Sequence, residues 1–198
     1  NSEEYPWEYY LIKYDAIYGG NNQGGTTTTT NLNINSGTIG AVIGGGNKAE
    51  SGVSNIAINN GTITDVYGGG NEATIGSTNN NGSTHLSITN STIKGNAFAA
   101  GNGATAIVTG TTYAEILTGA VIGVDYDETY HSGCIYGGGN EADVVGNTEV
   151  LFNGGTVKTH VFGGGNEGIV TGSTIVNAKT GTIDGSIYGG GNLATVEE

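Results

Sequence analysis

The sequence predicts an all-β chain wound as a right-handed parallel β-helix, or β-solenoid, of about seven coils of roughly 25 residues, with three short strands per coil. Three observations carry the prediction. A motif of one aliphatic residue, one aromatic, three glycines and an asparagine recurs as Val66-Tyr-Gly-Gly-Gly-Asn71, Ile135-Tyr-Gly-Gly-Gly-Asn140, Val161-Phe-Gly-Gly-Gly-Asn166 and Ile187-Tyr-Gly-Gly-Gly-Asn192. Val42-Ile-Gly-Gly-Gly-Asn47 is a close copy, and Ile17-Tyr-Gly-Gly-Asn-Asn22 and Ala97-Phe-Ala-Ala-Gly-Asn102 are degenerate ones. The copies start at 17, 42, 66, 97, 135, 161 and 187, a period that marks a solenoid. Between copies, apolar and polar residues alternate at spacing two, the pattern of a half-buried strand. Glycine and β-branched residues run through every unit, and both disfavour helical repeats.

The elements follow in order. Residues 1–16 fall outside the repeat: Glu3, Glu4 and Glu8 are interspersed with Tyr5, Trp7, Tyr9 and Tyr10, and Leu11-Ile12-Lys13-Tyr14 follows. This reads as a strand, serving either as a cap over the first coil or as an arm docking on a neighbouring molecule. The repeat domain spans 17–198. Anchored on Gly37, Gly61, Gly119, Gly155 and Gly181, with Ser91 in the third unit, its first strand gives aligned columns. Three residues earlier stand Ile34, Ile58, Ile88, Ile116, Phe152 and Ala178; five earlier, Leu32, Ile56, Leu86, Ala114, Val150 and Val176. Seven earlier stand Thr30, Ser54, Thr84, Thr112, Thr148 and Thr174; two later, Ile39, Ile63, Ile93, Val121, Val157 and Ile183. The aliphatic–aromatic pair is a second short strand. A third follows the asparagine, with Ala49, Ala73, Ala104, Ala142 and Ala194 in one column and Ile75, Ala106, Val144, Val170 and Val196 two residues on.

The motif glycines are expected at corners with positive φ. Asn22, Asn47, Asn71, Asn102, Asn140, Asn166 and Asn192 are expected to bond amide to amide in a ladder. Tyr18, Tyr67, Phe98, Tyr136, Phe162 and Tyr188, with Ile43, are expected to stack beside it. Two units carry insertions, near 77–83 and 123–133, and insertions in solenoids map to loops that often bind.

Composition narrows the function classes. Acidic residues outnumber basic ones 18 to 5, giving a net charge of −13, so nucleic acid and anionic membrane surfaces are unsuitable partners. Glycine reaches 39 residues without a collagen period, and proline occurs once. Cys134 is alone, so no disulfide forms within the chain. No stretch is long and apolar enough to cross a membrane as a helix. The missing methionine and the last unit, cut short eleven residues after Ile187, suggest a segment or a subunit with an unfinished end.

The seven Tyr-Gly-Gly-Gly-Asn units resemble the glycine- and asparagine-rich repeats of bacterial surface β-helix proteins of adhesin and autotransporter-passenger type. The resemblance covers about nine tenths of the chain. It implies an extracellular or cell-surface location and a structural or adhesive role. The expected protein is not an enzyme and needs no cofactor or metal. It is either a surface stalk within a larger parent chain or a subunit assembling end to end into a filament.

Chemistry is sparse. The glycine runs lack the lysine and following helix of a phosphate loop. They also lack the nine-residue period and aspartates of calcium β-rolls. Glu72, Glu141 and Glu167 follow the motif asparagine, and the expectation is a solvated column rather than a cation cage. The threonine column Thr38, Thr62, Thr92, Thr156 and Thr182 is single and broken at Ala120, too narrow for an ice-binding array. Asn60, Asn81 and Asn90 lie in glycosylation sequons, which are common in any Asn/Thr-rich chain. The densest polar cluster is the insertion, where Asp125, Tyr126, Asp127, Glu128, Tyr130 and His131 are candidates for ligand contact. They support the alternative of a carbohydrate-binding or carbohydrate-active β-helix contacting surface glycans or proteins. That alternative lacks an arginine, which β-helical polysaccharide lyases use. Cys134 reads as a small buried residue, and His85 and His160 have no partner evident from the sequence.

Overall fold

The computed structural model describes residues 13–77, 80–123 and 133–197. Tyr5, Trp7, Tyr9 and Tyr10 of the proposed arm, and Asp125, Tyr126, Asp127, Glu128, Tyr130 and His131 of the insertion, lie outside the described residues. The described chain is all-β, without helix, and winds as a parallel β-solenoid of about six turns. Its strands are β1 (Lys13–Tyr18), β2 (Thr27–Ile34), β3 (Thr38–Ile43), β4 (Ser51–Ile58), β5 (Gly61–Tyr67), β6 (Gly76–Ser77), β7 (Asn80–Asn81), β8 (Ser83–Ile88), β9 (Ser91–Ile93), β10 (Ala97–Phe98), β11 (Thr111–Ile116), β12 (Val121–Ile122), β13 (Ile135–Tyr136), β14 (Thr148–Val157), β15 (Val161–Phe162), β16 (Thr174–Ile183) and β17 (Ile187–Tyr188).

Each coil offers one long strand, one aliphatic–aromatic pair and one isolated bridge. The long strands stack in parallel in the order β2, β4, β8, β11, β14, β16. The pairs stack from Ile17↔Val42 through Val42↔Val66, Val66↔Ala97, Ala97↔Ile135 and Ile135↔Val161 to Val161↔Ile187. All seven motif copies therefore lie one over another. The third side is a single line of bridges, Ser51↔Ile75↔Val108↔Val144↔Val170↔Val196. Six coils at about 4.8 Å apart make a rod of roughly 30 Å.

The core follows from strand parity. Ile34, Ile58, Ile88, Ile116 and Phe152 face inward with Ile39, Ile63, Ile93, Ile122 and Val157 in the main cluster. Ile75, Val108, Val144 and Val170 form a second. At the N-terminal end of that line stands Ser51, whose Oγ is buried without a hydrogen-bond partner among the described residues.

Three expectations need correction. Val108, not Ala106, continues the Ile75 column. The segment Asn102-Gly-Ala-Thr-Ala106 is two residues longer than its equivalents, so Ala106 takes the alanine column and Ala104 is exposed. In the fourth coil Leu117-Thr-Gly-Ala120 adds one residue, so Val121 pairs with Thr92 and Thr156 and Ile122 enters the core. A shift of one residue exchanges the two faces of a strand, and Ile122 is accordingly buried where Val121 is half-buried. The threonine column is thus interrupted at Val121 rather than Ala120.

The third correction concerns the motif glycines, which do not have positive φ. That conformation belongs to the anchor column, with Gly37 at 116°, Gly61 at 138° and Gly181 at 114°, and to Asn90 at 45° beside Ser91. The motif glycines are small because the next coil runs against them. A Cβ on Gly138 would lie 2.6 Å from the amide nitrogen of Gly165, and one on Gly164 would lie 2.8 Å from that of Gly191. Of the insertions, the one near 77–83 is an antiparallel hairpin of β6 and β7.

Candidate functional site: side-chain ladders and an open terminal coil

Because every coil repeats its register, equivalent side chains meet their own kind. Asn47 donates its Nδ2 to Oδ1 of Asn22 at 2.8 Å, and the series runs through Asn71, Asn102, Asn140 and Asn166 to Asn192 at 2.8 to 3.2 Å. Every amide donates toward the N-terminal end, so the chain of dipoles has one direction. Shorter ladders join Asn55 to Asn31 and Asn59 to Asn35.

Beside the main ladder, Tyr67, Phe98, Tyr136, Phe162 and Tyr188 stack with ring centroids 4.7 to 5.2 Å apart and planes within 11°. Tyr18 is outside this stack, because Ile43 pairs with both Tyr18 and Tyr67 and separates them. The middle rings are buried with Cys134, and the last, Tyr188, is 45% exposed. Cys134 is itself buried, its Sγ 2.8 Å from Oγ1 of Thr159.

A third ladder was not read from the sequence. The hydroxyls of Thr30, Ser54, Thr84, Thr112 and Thr148 point inward and donate to the carbonyls of Gly44, Gly68, Ala99, Gly137 and Gly163 at 2.5 to 2.6 Å. Thr174 bonds Gly189 likewise. A hydroxyl at an inward position by parity needs an acceptor, and that was the available signal. The bond ties the long strand to the glycine corner across the core. Thr112→Val keeps the shape and orphans the Gly137 carbonyl, so it should cost about 1–3 kcal/mol in denaturant unfolding.

Burial, and then the charge of Asp65, pushes the Tyr67 phenol up to about 12. Burial above all raises Tyr136 too. A phenol whose folded pKa exceeds its unfolded value adds stability that is complete below the unfolded value and lost as pH climbs to the folded one. Stability should therefore fall between about pH 10.0 and about 12, and Tyr67 and Tyr136 should show tyrosinate absorbance late or only on unfolding.

Outward groups offer little chemistry. Among the described residues no group of three His, Cys, Asp or Glu side chains is placed to hold a metal. Glu72 pairs with Lys48 at 3.3 Å, while Glu141 and Glu167 are exposed. The two described histidines do have partners. His85 sits 3.6 Å from Glu115 and edge-on to Tyr113, and His160 accepts a hydrogen bond from the Ser186 amide.

The coil at the C-terminal end is different. β16, Ile187 and Tyr188 continue the columns of buried coils, yet Ile187 is 47% and Tyr188 45% exposed. A Cβ on Gly189 would meet nothing within 4 Å. The fold and ladders define a parallel β-solenoid repeat protein. No family model matches the chain, and neither does any curated protein or solved structure.

Proposed function

We propose that the chain is a non-catalytic, extracellular structural or adhesive rod whose working junction is the open edge of its C-terminal coil. The observation that carries this reading is the exposure there of columns that every inner coil buries. β16 presents a ten-residue strand edge, with Val176, Ile183, Ile187 and Tyr188 on its coil. Such an edge templates further strand pairing. The partner is a further β-coil, whether of the same polypeptide in a surface stalk or of another molecule in an end-to-end assembly. The acidic, Thr- and Asn-rich composition and the resemblance to surface β-helix proteins support the location.

Gly189→Ala tests the junction. Its new methyl would point off the end of the rod, where inner coils have backbone. The variant should melt like the parent and lose self-association in concentrated solution, as read by light scattering and electron micrographs. Parent chains that stay monodisperse short particles at every concentration would remove self-assembly through this edge.

A further inference from the structure

The outward face of the long strands carries an inference of its own, which needs the folded rod and not the terminal junction just proposed. The columns that hold the coils together stack like on like. Two neighbouring columns on this face do not. One reads Asn31, Asn55, His85, Tyr113 and Glu149, and the next Asn33, Ala57, Ser87, Glu115 and Leu151, each in register on successive strands. A column that changes residue at every rung is not set by stacking and is free to serve other contacts, since function lives in sites grafted on a fold.

Where the two columns cross β2, β4 and β8 they enclose a trough of 210 Å³. Its floor is the backbone of Leu32 and Ile56, whose side chains turn toward the core, and the small Ala57 and Ser87 keep it open. Its groups suit hydroxyl recognition, because a planar amide offers both a donor and an acceptor. Asn55 commits its Nδ2 to Asn31 Oδ1 at 3.0 Å, which leaves the Asn31 Nδ2 as donor and the Asn55 Oδ1 as acceptor one coil apart. Asn33 and Ser87 add an amide and a hydroxyl with no side-chain bond among the described residues. On the C-terminal side His85 holds its Nε2 3.6 Å from Glu115 and lies edge-on to the Tyr113 ring at 4.9 Å. Burial, and then the charges of Glu115 and Glu149, raise the Tyr113 phenol above its ordinary value, so it stays a donor at neutral pH.

Three features select the ligand. β4 and β8 are paired along both edges, so a peptide would gain no main-chain hydrogen bonds here. None of the chain's five basic residues lines the trough, and Glu115 and Glu149 stand toward its end, so anions are repelled. The lining is mostly amide, hydroxyl and imidazole, which leaves little for an apolar guest. What fits is a neutral chain rich in hydroxyl groups. Coils about 4.8 Å apart repeat at close to the length of one sugar ring in an extended glycan, so successive sugars meet successive rungs. We propose that this trough binds a neutral, extended oligosaccharide lying along the rod axis, with Asn31, Asn33, Asn55, His85 and Ser87 bonding its hydroxyl groups.

Titration calorimetry with cellohexaose, mannohexaose and chitohexaose should find saturable binding of at least one. Maltohexaose, which coils, and hexagalacturonate, which is anionic, should bind at least about tenfold more weakly. Ala57→Trp fills the trough and should abolish binding while the circular-dichroism melt stays parental. If Ala57→Trp fails to fold, Ser87→Gln is read the same way. Asn55→Ala and His85→Ala should each weaken binding about two- to tenfold, the worth of one hydrogen bond. Gly189→Ala, whose change lies in the last coil, should bind as the parent does, so the trough and the terminal junction stand or fall separately. A folded parent that binds none of the three extended sugars overturns the proposal. So does binding that survives the filled trough, so does maltohexaose or hexagalacturonate bound as tightly as the best of the three, and so does loss of binding in Gly189→Ala.

Discussion

Gly138→Ala should abolish the folded state or cost well over about 3 kcal/mol, the range of overpacking against a site that cannot yield. The added Cβ would lie 2.6 Å from Gly165 N, 2.8 Å from Gly165 Cα and 3.0 Å from Gly164 C. All three are backbone, so no rotamer relieves the clash. The coils cannot part locally either. Gly138 N donates to Gly164 O at 3.0 Å, and the Asn140–Asn166 bond at 3.0 Å holds the same corner two residues on. Gly190→Ala is the matched control, because it occupies the same column and would meet only Val196 Cγ2, at 4.0 Å. Thermal melts by circular dichroism should show no cooperative transition for Gly138→Ala and a near-parental one for Gly190→Ala. Two parental melts would mean that the corners do not run in contact.

Tyr136→Ala should cost about 3–5 kcal/mol in denaturant unfolding, the usual range for deleting a buried aromatic. Tyr136 is 2% exposed and stacks on Phe98 at 4.7 Å and Phe162 at 4.9 Å, so its loss empties the centre of the stack and removes two ring contacts. Tyr188→Ala at the open end deletes the same side chain from a 45% exposed site with one stacked ring below, and should cost less than half as much. Equal costs for the two would show that the stack contributes nothing beyond exposure.

The pitch and register were legible in the sequence because a solenoid writes its structure as repetition. The seven motif starts share one line, and the asparagines bond one another through its whole length. Repetition does not say why a residue recurs, however. Glycine in Gly-Gly-Gly-Asn could serve a left-handed turn or a close approach of backbones, and the two uses look the same in one dimension. Alignment also failed where units vary in length. Asn102-Gly-Ala-Thr-Ala106 offers two alanines for one column, and Leu117-Thr-Gly-Ala120 hides one extra residue in a run without alternation. The inward threonines were aligned correctly, but their acceptors lie 14 or more residues away on another side of the coil, beyond the reach of local pattern. The ligand candidates Asp125 to His131 came from local charge density alone and have no counterpart in other coils to test them against.

Each rung of the asparagine ladder, like each inter-coil bond beside it, joins residues about one unit apart in the chain. Tension applied to the C-terminal strand would therefore not stretch the rod but unspool it, one turn at a time from the open end. Each turn of roughly 25 residues would release about 80–90 Å of extended chain while shortening the rod by only about 4.8 Å. A single molecule pulled this way should yield in even steps, with longer ones where the third and fourth units let go, and should rewind from whatever turns remain as template.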